Sequence, residues 1–204
     1  MTTDLRTLAA RLEALEAREA IREVLNDYAR GVDREDLELL RSCYHPDAVD
    51  VHWTFIGNAH EFAQDVIDKM GGLPNKKHYI TNAAIELDGE RAFVESSFLA
   101  TQRIPLDGGR VADLQAEGRY LDVFERREGV WRIAHRHMVT EKTWSVVGAA
   151  PPTVGAGRPV PDERQRSGKF PDDPVYRGFG ITALTPPEYR HEGDLYAAIR
   201  DALG

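Results

Sequence analysis

Proton transfer is the chemistry most readily suggested by the side chains of this chain, and His78 in "HYITN" is where it would start. In an extended strand alternate residues share a face, so His78, Ile80, Asn82 and Ala84 point the same way, onto a face more polar than its neighbour. An imidazole can take or give a proton near neutral pH when a carboxylate holds its tautomer and stabilises the imidazolium. Asp33 in "YARGVD" is a candidate for that carboxylate. On pattern alone it has a competing use. It stands before a helical pattern with Asp36 three residues on, which suits an N-cap followed by an acidic first turn. Tyr28, on the apolar face of the preceding helical pattern, reads as a core residue.

Other histidines divide by position. His135 and His137 flank Arg136 in "WRIAHRH", and alternation puts the histidines on the opposite face from the arginine unless a bulge swaps them and turns His137 inward. His135 and His137 offer two ligands without an evident third, so no metal site is expected. His45, His52 and His60 fall near loops and read as surface residues. Trp53 and Phe55 after His52 could line a pocket for a ring-shaped apolar ligand, or pack on the following helix.

The elements that must position these residues follow from periodicity. Leu5, Leu8, Leu12, Leu15, Ile21, Val24, Leu25 and Tyr28 recur at helical spacing, and Gly31 can supply the left-handed residue that ends this first helix. "DREDLELL" restarts a helix, "YHPDAVDVHW" reads as a short strand, and "NAHEFAQDVIDKMGG" is a third helix stopped at Gly71. The period then changes to two. Residues 76–104 form two strands about Asp88-Gly89, and residues 114–144 form two more about Glu128-Gly129, an antiparallel meander. A two-residue loop at Asp88-Gly89 would set Leu99, Ser97, Glu95 and Phe93 opposite the His78 face, which makes Ser97 a candidate pocket residue beside Asn82. From residue 145 onward Pro and Gly accumulate, and residues 148–191 read as an extended arm that Tyr176, Phe179 and Tyr189 would dock, with a possible short helix in "GDLYAAIRDAL".

The whole chain sets the outer limits. Its 204 residues suit one core with an appendage, 42% hydrophobic and 29% charged residues are those of a soluble globular protein, and no internal repeat appears. A net charge of -8 without a basic run argues against nucleic acid as a partner. The N-terminal stretch carries Asp4, Glu13, Glu16 and Glu19, unlike a secretory signal, and no run is long enough to span a membrane. The single Cys43 fits a reducing compartment, so the cytoplasm is the expected location.

Taken together, the Tyr-x-x-x-Gly-x-Asp joint, "HYITN" on the first long strand and the closing "DVFERREGVWRIAHRHMV" resemble the NTF2-like superfamily, in its SnoaL-like branch. That branch includes scytalone dehydratase, bile-acid 7α-dehydratase and lindane dehydrochlorinase. The resemblance runs over residues 5–144 and implies a cone-shaped α+β barrel, three N-terminal helices on a curved antiparallel sheet, in a domain 1–144 with an arm over 145–204. It also implies an apolar pocket, no cofactor, and a homo-oligomer, a trimer ahead of a dimer. By matching position it gives His78 the role of base and Asp33 that of its partner. Tyr28 and Arg136 become assisting groups. On the residue pattern, apart from the resemblance, Asn82, Trp53, Phe55, Ser97 and, with a bulge, His137 are the candidates to face substrate. The implied activity is dehydratase-like elimination, or isomerisation, on a hydrophobic cyclic small molecule. A pocket that only binds, or a structural small subunit like that of aromatic-ring hydroxylating dioxygenases, would use the same fold.

Overall fold

Helix α1 spans Leu5–Arg34 in the computed structural model, which describes residues 4–73, 75–149, 169–171 and 176. Asp4 caps its N-terminus by accepting a hydrogen bond from the Arg6 N–H. Only the second half meets the core, through Ala17, Ile21, Leu25, Tyr28 and Val32, while Leu5, Leu8, Leu12 and Leu15 stay exposed.

The joint after α1 differs from expectation. Gly31 does not end the helix: Glu35, at φ 59°, is the left-handed residue, and Asp36 rather than Asp33 caps helix α2 (Leu37–Ser42), accepting from the Leu39 N–H at 3.1 Å. Gly31 serves close approach instead. A Cβ there would lie 2.9 Å from the backbone nitrogen of Leu40, so only glycine lets α2 fold back so tightly on α1.

Six strands follow: β1 (Tyr44–His52), β2 (Phe55–Asn58), β3 (Asn75–Asp88), β4 (Arg91–Leu106), β5 (Arg110–Arg127) and β6 (Val130–Ala149). Helix α3 (Ala59–Met70) lies between β2 and β3, capped by the Asn58 side chain, which accepts from the His60 and Glu61 N–H groups. The sheet order is β2-β1-β6-β5-β4-β3. Every neighbouring pair is antiparallel except β1 and β6, which run parallel, so the expected purely antiparallel sheet is corrected to a mixed one. The expected three N-terminal helices are likewise two, with α3 inserted after the β1–β2 hairpin.

The sheet is curved, and its register shifts at four described places: Tyr44/Val49 in the β1–β6 pairing, Thr81/Ala84 in the β3–β4 pairing, and Glu117/Gly118 and Val123/Phe124 in the β5–β6 pairing. The β3–β4 loop is Gly89-Glu90, one residue later than Asp88-Gly89, and Gly89 takes φ 57°. That shift and the bulge at Asn82 place His78 opposite Ala100 and Ile80 opposite Phe98, not opposite Leu99 and Ser97. The second hairpin turns at Glu128-Gly129 as expected, both with positive φ. Strand β6 continues over residues 145–149, which the sequence assigned to the arm, pairing Ser145 with Leu114 and Ala149 with Arg110.

The core lies between the concave sheet and the helices, where Ile21, Leu25 and Phe62 meet Phe98, Phe124 and Ile133. Beyond β6, Phe170 donates its backbone N–H to the Arg34 carbonyl and packs edge-on to Tyr176, over whose ring Arg30 sits at 4.7 Å. Phe179, Tyr189 and the proposed terminal helix lie outside the described residues. Among the described residues, no helix is long and apolar enough to cross a membrane.

Candidate active site

Asp33 occupies the last turn of α1, buried, on the side of the helix that faces β3. Because β3 is an edge strand, its outward N–H groups have no sheet partner. The N–H of His78 is one of these, and it donates to the Asp33 carboxylate at 2.9 Å and 3.2 Å. The His78 ring bonds the same carboxylate, Nδ1 to Oδ1 at 2.8 Å. Lys77 Nζ lies 3.1 Å from the second oxygen. Backbone and ring of His78 are thus fixed by one buried acid. With Nδ1–H donating to Asp33, the lone pair sits on Nε2.

Burial alone would raise the Asp33 carboxyl, but the hydrogen bonds and charge of His78, with Lys77, hold it below the usual carboxylate range. The residue therefore stays ionised, as a partner for an imidazolium must.

His78 opens onto a cavity of about 250 Å³ enclosed by α1, α3 and the concave sheet face. Phe55, Phe62, Phe98, Ala116 and Met138 give it an apolar lining, and Tyr28, Tyr120 and His52 add polar groups. Exposed Trp53, Thr54 and Lys69 stand at its edge. A wider groove of about 460 Å³ at the far end of β4, β5 and β6 contains the Arg103–Asp113 ion pair but neither His78 nor Asp33. The smaller cavity is the one that His78, with its ring bonded to Asp33, opens onto.

Behind the wall lies a buried polar layer. Arg136 donates to both oxygens of Asp122, at 2.8 Å and 2.7 Å, and its guanidinium is sandwiched between the rings of Tyr28 and Tyr120, 4.1 Å from each centroid. Burial would favour a neutral arginine, but Asp122 holds Arg136 protonated, well above its ordinary range. Burial also pushes the Tyr28 phenol well above its ordinary value and Tyr120 up to about 12, so both remain hydrogen-bond donors. Arg136 owes its inward direction to the bulge at Val123/Phe124. It restores the inward row of Trp131 and Ile133 on Arg136 and Met138.

Of the residues expected to face substrate, Trp53 and Phe55 line the cavity. Asn82, Ser97 and His137 do not. Asn82 is exposed at the β3 bulge with φ 51°, Ser97 points away from the face of Phe98 and Ala100, and His137 is exposed on the outer face because the bulge turns Arg136 inward. Arg136 lies behind the lining, in contact with it through the tyrosines.

Two histidines expected at the surface are not there. His45 is buried with Nε2 2.9 Å from the Glu125 carbonyl, and His52 lines the cavity, stacked on Phe62 at 4.6 Å. The signal for His52 was its position two residues after Asp50, since period two sets both side chains on one face of β1. Among the described residues, no group of three or more His, Cys, Asp or Glu side chains is placed to hold a metal ion.

Comparison with known proteins adds three findings. The family described as SnoaL-like domain matches residues 13–137. No curated protein matches the sequence. Among solved structures, a type 2 hexachlorocyclohexane dehydrochlorinase (LinA) superposes with a TM-score of 0.62 at 23% identity, over 71% of this chain and 99% of its own. A scytalone-dehydratase-like protein from Novosphingobium aromaticivorans gives 0.58 at 22% identity, over 69% and 95%. The type 3 LinA of Novosphingobium barchaimii gives 0.60 at 23% identity, over 70% and 99%. At these identities the likeness is one of fold.

Proposed function

The chain belongs to the SnoaL-like family, and from that premise we propose that it is a cofactor-independent lyase or isomerase that eliminates water, or a comparable leaving group, from a hydrophobic cyclic small molecule. The observation that carries this is the 2.8 Å contact between His78 Nδ1 and the ionised Asp33, with the ring opening onto an apolar cavity. A lone pair on Nε2 can remove a proton from carbon, and Asp33 stabilises the imidazolium that results. Tyr28, kept protonated by burial, supplies a donor for charge developing on a carbonyl oxygen. Arg136 acts as a positioning residue, packed on the Tyr28 ring. The names of the solved relatives, a dehydrochlorinase and a dehydratase-like protein, agree with elimination.

A cavity of about 250 Å³ with aromatic walls suits one small ring system more than an extended chain. The paired Asp33 and His78 favour catalysis over a binding-only pocket or a structural subunit, neither of which has use for a base with its carboxylate.

The test is turnover of 3-hydroxyindan-1-one and 3-chloroindan-1-one, which both yield indenone when a base removes the proton beside the carbonyl. Wild-type protein is expected to accelerate indenone formation, and His78→Ala to lose about 100- to 10,000-fold while remaining folded by circular dichroism. No turnover of either ring, or full activity in His78→Ala, sinks the elimination reading.

A homo-oligomer, trimer ahead of dimer, is part of the same proposal. Leu8, Leu12 and Leu15 of α1 and Trp144, Val146 and Val147 of β6 expose apolar surface that association would cover. Sedimentation equilibrium is expected to return a multiple of the 22.9 kDa chain mass; a monomer would remove this part.

A further inference from the structure

The cavity holds a second histidine bound to a buried carboxylate, on a different strand from the first. His52, near the end of β1, places Nδ1 3.2 Å from Asp50 Oδ1. The other oxygen of Asp50 accepts the Tyr44 hydroxyl at 2.7 Å, and Asp50 is fully buried. The His52 ring stacks on Phe62, 4.6 Å between centroids and 27° between planes, and lies 5.7 Å from Tyr120. Ring plane and Nδ1 are therefore both fixed, and among the described residues no protein group hydrogen-bonds Nε2. His52 and His78 line one cavity from β1 and β3, strands separated by three others in the sheet.

Charge adds to this. Asp50 and Asp122 are both fully buried, and Arg136 spends two of its donors on Asp122. Asp50 is left with a tyrosine hydroxyl and His52. A protonated His52 would balance the Asp50 charge and carry an N–H on Nε2 as well.

We propose that His52 is the general acid of this site, oriented by Asp50, which gives a proton to the departing hydroxyl while His78 takes one from carbon. This rests on the elimination reading above. In the step, His78 Nε2 accepts the proton from the carbon beside the carbonyl and the C–H electron pair becomes the C=C bond. The C–O bond breaks with its pair on oxygen, and His52 Nε2–H protonates that oxygen, releasing water. His52 is left neutral and His78 an imidazolium. Passing one proton to solvent from His78 and taking one back at His52 closes the cycle. The site therefore fits cyclic β-hydroxy ketones, whose hydroxide leaves poorly without a proton, better than halides, which leave as anions.

The experiment compares His52→Gln and Asp50→Asn with wild-type protein on 3-hydroxyindan-1-one and 3-chloroindan-1-one, each corrected for the uncatalysed rate. Both variants are checked for folding by circular dichroism. His52→Gln is expected to lose about 100-fold or more in kcat on the hydroxy ketone and only a few-fold on the chloro ketone. Asp50→Asn is expected to repeat the split more weakly, and a purely structural role would not separate the two leaving groups. Equal losses on both ketones, or no loss on either, overturn the acid role with the elimination reading intact. If wild-type protein turns over neither, both fall. Should His52→Gln fail to fold, the split in Asp50→Asn decides, and its absence counts against the proposal.

Discussion

The central pair is a case where one buried carboxylate performs two tasks. Asp33 fixes the His78 backbone through its N–H and the ring through Nδ1, so its loss would disturb stability and chemistry to different degrees. Its folded carboxyl is held below the ordinary value of about 3.9, with burial opposing and His78 and Lys77 prevailing. The unfolded state therefore binds protons more readily, and the stabilisation from Asp33 is fully present above about pH 4. It is lost as pH falls through the lower folded value. Asp33→Asn is thus expected to be less stable than wild type at pH 7, by about 2 kcal/mol, with the gap narrowing below about pH 4. Urea unfolding at a series of pH values checks this, and a gap independent of pH would contradict it. Activity should fall further than stability, by about 100-fold or more, because an amide can donate to Nδ1 and leave the lone pair off Nε2. At this scale His78 and Asp33 were recognisable as candidates, but residues 45 apart carry no local mark of contact, and resemblance was needed to join them. His52 was readable in principle from its spacing to Asp50. Its place beside a turn, however, is equally that of a surface histidine, so the spacing alone does not turn it inward.

Elements decide whether that pair can form. The carboxylate reaches β3 only because α1 continues through Gly31 to Arg34 and because α2 packs hard against its last turns. Gly31→Ala is therefore expected to push Leu40 away, since its Cβ would stand 2.9 Å from one backbone atom and 3.0 Å from another. The cost should be about 1–3 kcal/mol in urea unfolding, with a drop in kcat beyond what lost folding explains, as Asp33 moves with the helix end. An unchanged midpoint would show that the joint yields freely. Local signals read well here: both long hairpins, the third helix with its start at Asn58, and the strand periods were all legible. The parallel pairing of β1 with β6 was not, since contact between positions 50 and 136 leaves no local pattern. The exact β3–β4 register was lost to the turn falling on Gly89-Glu90 and to the bulge at Asn82, where a non-glycine residue takes positive φ without a turn composition to announce it.

At the scale of the molecule, the cavity and the polar layer behind it are assembled by the core, and Lys169, Phe170 and Tyr176 brace the end of α1 from outside. Lys169 Nζ lies 3.1 Å from Glu35 and 3.3 Å from the Asp33 carbonyl, Phe170 binds the Arg34 carbonyl, and Tyr176 receives Arg30. All four contacts fall on the last turns of α1 and the cap that follows, the stretch that presents Asp33. Among the described residues the apolar core, by contrast, is drawn from residues 17–138. A chain ending at Ala149 should therefore still fold. It would forgo a partly exposed ion pair of about 0–1 kcal/mol, a backbone hydrogen bond of about 1 kcal/mol and a cation–π contact of about 0.5–1 kcal/mol. A loss of about 2 kcal/mol in urea unfolding is the expected result, with a several-fold lower kcat on the indanone probes as the end of α1 loosens. Restoring the full chain with Lys169→Ala should recover most of the stability but only part of the rate, because Lys169 alone among these contacts touches the Asp33 backbone. A truncated chain that cannot fold would mean that the segment completes the core, and unchanged kinetics would mean that α1 holds Asp33 in place unaided.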